Sequence, residues 1–405
     1  MDDLVRFHST NGEARASTPA ESVLQGFQAV GDDLPRFLRG NFACVVTDGS
    51  RMWCFRDQIG FETLFYRDDP SGFHVATEAK QVVAGAAFPP EPDIDVVKGI
   101  FFGDLDDPVR CALRGVSRLV PATVLVVDGR SIGQRRYWDP RHLFETAKLG
   151  PDEMRERFRE LFSEAVRRTL TGRDAIALSG GIDSPPIAAV GAREHMRLFG
   201  RPIAAISEVY PSFPSSDETG YIELVADRFA IPLHTYEPGR QRLDRLQEWV
   251  RLFDGPWTTT APEGTAARCR FAVSHGFETI LTGHFAEHVT AAGQVALVTH
   301  LLWHGRFRAA ASYLASRRAA GAGRRTLARQ VLDAFAPMFL VARRSRRQPL
   351  LPMPPWLDPR RIQERDAKAA LPARQRWVAY QFPFFGASPS GEADIYSHAV
   401  FGVRA

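Results

Sequence analysis

Apolar residues fall in short runs over residues 37–138 and in longer helical stripes after that. Residues 42–47 form one run, Asp48-Gly49 supplies turn chemistry, and residues 52–55 form the next, which predicts a hairpin. Residues 72–77 and 123–127 read as further strands, the second closed by Asp128-Gly129; a helix precedes them all, from Pro19 or Glu21 to about Ala29. The period changes after Asp139-Pro140. Met154, Phe158, Leu161, Phe162, Ala165 and Val166 recur at helical spacing, so a helix opens a second domain. A short apolar strand at 175–178 then runs through a glycine-bearing loop into a helix from Pro185. A strand at 203–209, a helix at 218–229 and a strand at 279–282 continue the alternation, which predicts a mainly parallel sheet. From Leu301 the chain reads helical and arginine-rich, broken by Pro349, Pro352, Pro354 and Pro355, and no segment repeats. The predicted class is therefore α/β: a β-rich domain over residues 1–140, then a domain over 150–405 with a mainly parallel sheet and a helical tail.

Composition narrows the class of function. With 405 residues, 44% of them apolar and 24% charged, the chain has the makeup of two globular domains and not of a disordered protein. The net charge of +4 is carried almost wholly by arginine, lysine appearing only at Lys80, Lys98, Lys148 and Lys368. That is the mark of a GC-rich coding bias, and with no RNA-binding module in the sequence it does not point to nucleic acid. The densest run, Arg343, Arg344, Arg346 and Arg347, reads as a solvated surface segment, with contact to an acidic substrate as its functional reading. Cys44, Cys54, Cys111 and Cys269 show no C-x-x-C spacing and are too few for a disulfide scaffold, so a reducing cytoplasm is expected. No export signal and no apolar run of membrane-spanning length is present in the sequence.

The chemistry concentrates in Ser179-Gly180-Gly181-Ile182-Asp183-Ser184. Adjacent glycines let a backbone approach an anion, and the following helix offers unsatisfied N–H groups and the positive end of its dipole. A polyphosphate is the natural occupant. Ser179 and Ser184 can donate hydroxyl hydrogen bonds, whereas the carboxylate of Asp183 suits a Mg²⁺ that bridges phosphates. Pro185 and Pro186 are tolerable only in the first turn of the helix. A serine-glycine turn capped by Asp is the structural alternative.

With the strand before it, this hexapeptide resembles the pyrophosphatase loop of N-type ATP pyrophosphatases, and it lacks the Gly-Lys-Ser/Thr end of a Walker loop. The resemblance narrows with the flanking segments. Gly40-Asn41-Phe42-Ala43, Arg56-Asp57 with Gly60, Leu64 and Tyr66, Ala76-Thr77-Glu78-Ala79-Lys80, and Tyr137-Trp138 resemble the second half of the glutaminase-type domain of asparagine synthetases. Ser216-Asp217-Glu218, Phe253-Asp254-Gly255-Pro256 and Leu281-Thr282-Gly283 are similar, in order, to their synthetase domain. The chain is thus similar to the family of asparagine synthetases, β-lactam synthetases and lasso-peptide cyclases. The resemblance implies a partial, Ntn-hydrolase-like first domain and a second domain of the adenine-nucleotide α-hydrolase kind. Packing is the alternative role of the first-domain motifs.

The resemblance also implies ATP- and Mg²⁺-dependent activation of a carboxylate as an acyl-adenylate, with pyrophosphate released and an amide, lactam or isopeptide bond formed. Ser179, Gly180, Gly181, Asp183 and Ser184 would bind the nucleotide, Asp183 and Glu287 the metal, and His284 would take the amine proton. The expected partners are a small-molecule or peptide carboxylate and an amine, with a precursor peptide and a partner protease for a lasso-type product; amidation with ammonia and nucleotide binding without turnover are the alternatives. Three departures bear on these expectations. Asp2 stands where a working glutaminase has its Cys nucleophile, so glutamine hydrolysis is expected to be lost. Phe285 stands for a glycine beside His284, and the chain stops at Ala405, before the segment that brings a catalytic lysine in relatives. His284 and His288 share a helical face, with zinc binding as their less favoured reading.

Overall fold

The computed structural model describes residues 18–85, 89–101, 109–139, 149–239, 245–256, 262–283, 297–303, 305–319 and 321–335. The chain forms two compact units, Met1–Gly283 with Phe384–Ala405, and His284–Pro383.

In the first unit, helix α1 (Pro19–Val30) starts where Thr18 and Glu21 cap each other reciprocally, the Thr18 hydroxyl accepting from the Glu21 amide and the Glu21 carboxylate from the Thr18 amide. A three-ten turn (Gly31–Arg36) follows, then strands β1 (Ala43–Thr47), β2 (Arg51–Arg56), β3 (Phe65–Asp69) and β4 (Gly72–Ala76). Helices α2 (Ala79–Ala84) and α3 (Ile94–Phe101) and strands β5 (Ser117–Arg118), β6 (Thr123–Asp128) and β7 (Ser131–Arg136) complete this part. The strands make two antiparallel sheets, ordered β1-β2-β6-β7 and β4-β3-β5.

Alternation along β2 and β6 decides how the layers stack. Phe55 and Val124 point to one side, into a cluster with Leu34, Leu38 and Phe27 of the α1 region. Cys54, Leu125 and Val127 point to the other, against Leu64, Tyr66, Phe73 and Val75 of the second sheet. The far face of that sheet holds Phe65 against Ala79, Val82 and Val83 of α2. The result is a helix–sheet–sheet–helix sandwich. The four cysteines form no disulfide, and burial pushes the thiols of Cys44 and Cys54 up to about 11 and about 12, so neither is an activated nucleophile.

Helix α4 (Pro151–Thr169) leads into the parallel part: β8 (Asp174–Ala177), α5 (Ser184–Phe199), β9 (Ala204–Glu208), α6 (Thr219–Phe229), β10 (Leu233–Tyr236), α7 (Leu246–Leu252), α8 (Pro262–Ser274) and β11 (Thr279–Leu281). All pairings in the sheet β10-β9-β8-β11 are parallel. Ile176, Leu178 and Ala205 meet Ala188 of α5 and Ile222 and Ala226 of α6 on one face; Ala175, Ile206 and Ile280 meet Cys269 and Ala272 of α8 on the other. Cover on both faces explains why these strands read as apolar runs.

Polar contacts of Lys80 tie the sandwich to the parallel part. The N-cap residue of α2, Glu78, makes no side-chain cap bond; the Lys80 amide instead donates to the buried Asp254 carboxylate at 2.9 Å, while Lys80 Nζ donates to Leu252 O at 2.7 Å. Burial raises the Asp254 carboxyl, and the Lys80 amide and ammonium oppose that rise. The neighbouring Gly255 lies so close to Ala112 that a Cβ there would sit 2.6 Å from the alanine methyl. Two segments noted separately in the sequence, around Lys80 and Asp254, are therefore one interface.

The second unit contains α9 (Leu297–Trp303), α10 (Phe307–Ala319) and α11 (Arg324–Phe335), with α9 packed against both others. No described helix is long and apolar enough to cross a membrane.

Candidate functional site

Strand order places the site. The chain lays β9 and β10 on one side of β8 and then returns to place β11 on the other. The strand order therefore reverses at β8 and β11, and the carboxyl ends of strands at such a reversal are where ligands bind in open α/β sheets. Ser179-Gly180-Gly181-Ile182-Asp183-Ser184 leaves β8, and Thr282-Gly283 leaves β11. The two ends touch: a Cβ on Gly283 would lie 3.1 Å from Asp183 C and Cβ and from Ser184 N.

Inside the loop the two serines bond to each other. The Ser179 amide donates to Ser184 Oγ at 2.9 Å, the hydroxyls lie 3.1 Å apart, and Ser184 Oγ donates to Ser179 O at 3.3 Å. Ser184 is buried at 3% exposure, so its hydroxyl closes the loop, while Ser179 is exposed. The glycines differ as well. At Gly180 a Cβ would meet Glu218 Cβ at 2.7 Å and Tyr221 Cβ at 3.1 Å, whereas at Gly181 it would meet only Ser179 Oγ, at 3.5 Å. Gly180 is held to glycine by the protein itself; Gly181 is the one with open space before it.

Asp183 sits at the N-cap position of α5, half-buried, and its side chain makes no cap bond. Its carboxylate has no hydrogen bond or ion pair among the described residues. Pro185 and Pro186 occupy the first turn, as expected, but they alter what that turn offers. Neither carries an N–H, so the donors left open to an anion among the described residues are the amides of Gly181, Ile182, Asp183 and Ser184, more of them in the loop than in the helix. Ile182 projects beside them at 83% exposure.

Sequence reasoning missed a polar clamp at the carboxyl ends of β9 and β10. Glu208 accepts from Tyr210 Oη and from Tyr236 Oη, each at 2.8 Å. Burial, reinforced by the Glu208 carboxylate, pushes the Tyr210 hydroxyl up to about 12 and that of Tyr236 higher still. Both phenols stay protonated as donors. Only their places at strand ends could have signalled this. Tyr236 also stacks on Phe271 of α8, at 4.6 Å.

That aromatic layer continues to His234, whose ring lies 4.9 Å from His275 and 5.9 Å from Phe277. Burial, then the His275 charge, lowers the His234 imidazole below its ordinary 6.5. A histidine depressed in the fold binds protons more readily when unfolded, so its contribution is complete above pH ~6.5 and is lost as pH falls toward the folded value. Melting temperature should therefore fall on moving from pH 7.5 to 5.5, and His234→Phe should flatten that slope; an unchanged slope would remove His234 as its source.

His284, Phe285, Glu287 and His288 lie outside the described residues, as do Arg343, Arg344, Arg346 and Arg347. The described site is thus the phosphate-loop half of the expected constellation.

A family model described as a glutamine amidotransferase domain matches residues 5–138, the sandwich. The model described as asparagine synthase matches residues 157–381, more than half of the chain. The chain belongs to the asparagine synthase family. Within that family it is 25% identical over 288 residues to asparagine synthetase (glutamine-hydrolyzing) 3 of Bacillus subtilis, covering 67% of this chain and 46% of that protein. It is 27% identical over 190 residues to putative asparagine synthetases (glutamine-hydrolyzing) of Mycobacterium bovis and Mycobacterium tuberculosis, covering 44% of this chain and 29% of theirs. The chain thus spans less than half the length of these relatives. A solved glutamine phosphoribosylpyrophosphate amidotransferase of B. subtilis aligns at 12% identity and a TM-score of 0.22, over 67% of this chain and 55% of that one, too loosely to bear on the fold.

Proposed function

We propose that this member of the asparagine synthase family is an ATP-dependent amide-forming ligase. A substrate carboxylate attacks the α-phosphorus of ATP, the α–β bond breaks and pyrophosphate leaves. An amine then adds to the acyl carbon, AMP departs with its electron pair, and the amine proton passes to a base. The observation that carries this reading is the placement of the 179–184 loop at the switch point between β8 and β11, with amides and an Asp183 carboxylate that have no partner among the described residues.

The residues fit a metal–polyphosphate complex. The amides of Gly181, Ile182, Asp183 and Ser184 would hold phosphate oxygens, the Ser179 hydroxyl can turn outward to donate, and Ser184 keeps the loop closed. Asp183 supplies the hard oxygen ligand that Mg²⁺ prefers, and Glu287 is assigned as the second. Bound Mg²⁺ would neutralise charge as pyrophosphate departs. His284 is assigned as the base for the amine, and the substrates as a small-molecule or peptide carboxylate and an amine. Ring closure, as in lasso-peptide cyclases and β-lactam synthetases, is our reading of the product; a precursor peptide and its protease would be the partners.

ATP–pyrophosphate exchange, screened over amino acids and peptides, tests the activation step. Asp183→Ala should lower exchange at least about a hundredfold with its fold intact; exchange that survives the change removes Asp183 from the metal site. Product mass then separates ring closure, which loses water from one molecule, from amidation by ammonia. Phe285, where relatives have a glycine, favours a second reading, nucleotide binding without turnover. Binding of Mg²⁺–ATP with no exchange for any carboxylate would select it.

A further inference from the structure

We propose that Glu218 is an internal competitor for the phosphate loop: its carboxylate holds the Gly180 amide in the free chain, and a bound polyphosphate takes that amide from it. The inference rests on the reading of 179–184 as a polyphosphate loop.

Glu218 Oε2 accepts from Gly180 N at 2.9 Å, across 38 residues of sequence. The approach is close over the whole side chain, since a Cβ on Gly180 would lie 2.7 Å from Glu218 Cβ and 3.2 Å from its Cδ. Gly180 is the first glycine of the loop, so a protein carboxylate already occupies a donor that an anion would use.

Nothing in its own helix holds Glu218 there. It stands at the N-cap position of α6 with φ −105° and ψ 11° and makes no cap bond. The carboxylate next to it does the local work: Asp217 Oδ1 accepts from Tyr210 N at 3.0 Å and from Thr219 Oγ1 at 2.7 Å, and these bonds hold the Asp217 carboxyl below its ordinary range. Glu218 is exposed and can swing into water once the amide is taken.

The competition concerns one donor in a set of five. Pro185 and Pro186 add no N–H groups in the first turn of α5, so the Gly180 amide would join only those of Gly181, Ile182, Asp183 and Ser184. Glu218 also places a negative charge at the mouth of an anion loop, which weakens every phosphate bound there. Its removal should free a charge-assisted donor and relieve that repulsion together.

Titration calorimetry of the full chain with inorganic pyrophosphate, with and without Mg²⁺, reads the effect. Glu218→Ala should bind pyrophosphate about tenfold more tightly than the unaltered chain, and Glu218→Gln, which keeps an acceptor oxygen and drops the charge, by a smaller factor. Hydrogen exchange at the Gly180 amide should be faster in unliganded Glu218→Ala and equally slow in both proteins once pyrophosphate is bound. Equal or weaker binding by both variants, at an unchanged melting temperature, overturns the proposal and leaves the polyphosphate reading standing. Failure of every form, the unaltered chain included, to bind pyrophosphate or Mg²⁺–ATP overturns both. Glu218→Gln keeps the test decisive if the alanine variant does not fold.

Discussion

Arg56→Ala is expected to lower the urea midpoint of the sandwich by at least about 1 M, the largest stability loss of any single change considered for this chain. Arg56 is 1% exposed, and each nitrogen of its guanidinium donates to a backbone carbonyl: Nε to Glu62 O at 2.6 Å, Nη1 to Leu119 O at 2.5 Å and Nη2 to Gly60 O at 2.7 Å. The next residue organises the same loop from the opposite charge, Asp57 accepting from the amides of Ile59, Phe61 and Glu62. Burial raises the Asp57 carboxyl, and those amides and the Arg56 charge oppose the rise. Alanine at 56 would strand three carbonyls at roughly 1–3 kcal/mol each, leave Asp57 without its neighbouring charge and open a cavity, which together exceed about 4 kcal/mol. Arg56→Lys, a single point donor in place of a planar fork, should fall between the two proteins. Equal midpoints for the alanine variant and the unaltered chain would mean that water replaces the guanidinium at no cost.

That geometry answers a question the sequence left open. Arg56-Asp57 with Gly60 resembles a glutaminase-domain motif, and packing was its alternative role; all three nitrogens of the buried arginine donate to backbone carbonyls, which supports packing. Gly60 follows from the same arrangement, with φ +71° and a Cβ position only 2.4 Å from Pro121 Cγ and 3.0 Å from Arg56 Nη2. Such a cluster is visible as a string of residue types, but its partner Leu119 is 63 residues away, and local pattern carries no such information.

Local signals served well wherever the determinant is local. The helix from Pro19 or Glu21 to about Ala29, the Asp48-Gly49 hairpin turn with Gly49 at φ +93°, and the alternation of apolar strands with helices around 175–282 are all predicted elements that the structure contains. The α/β class and its two-part character follow from them. Strands β7 and β10 escaped because the local cue is weak: β7 is an almost wholly exposed edge strand with no apolar alternation, and β10 is a four-residue edge strand between helical segments. Pairing across a sheet made them strands. The site shows the same division. Residue types between a strand and a helix identified the loop, and resemblance to the family singled out Ser216-Asp217-Glu218 and Leu281-Thr282-Gly283, but only the fold shows that Glu218 and Gly283 both press on that loop.

Gly180→Ala is the sharpest test of that convergence, and it should abolish pyrophosphate binding while costing about 1–3 kcal/mol of stability. The new methyl would sit 2.7 Å from Glu218 Cβ and 3.1 Å from Tyr221 Cβ, both near the backbone of α6 and unable to rotate away. Either α6 withdraws from the loop or the loop turns outward, and the second movement carries the amides of Gly181 and Ile182 out of register with Ser184. Gly181→Ala meets only Ser179 Oγ, at 3.5 Å, and should leave stability within about 1 kcal/mol while still weakening the anion, whose approach its methyl obstructs. Removing the opposing carbon separates strain from chemistry. In a Gly180→Ala, Glu218→Gly pair the shorter contact is gone and glycine is acceptable at an N-cap, so much of the lost stability should return. If the double change is no more stable than Gly180→Ala alone, the close packing of α6 on the loop is not what holds position 180 to glycine.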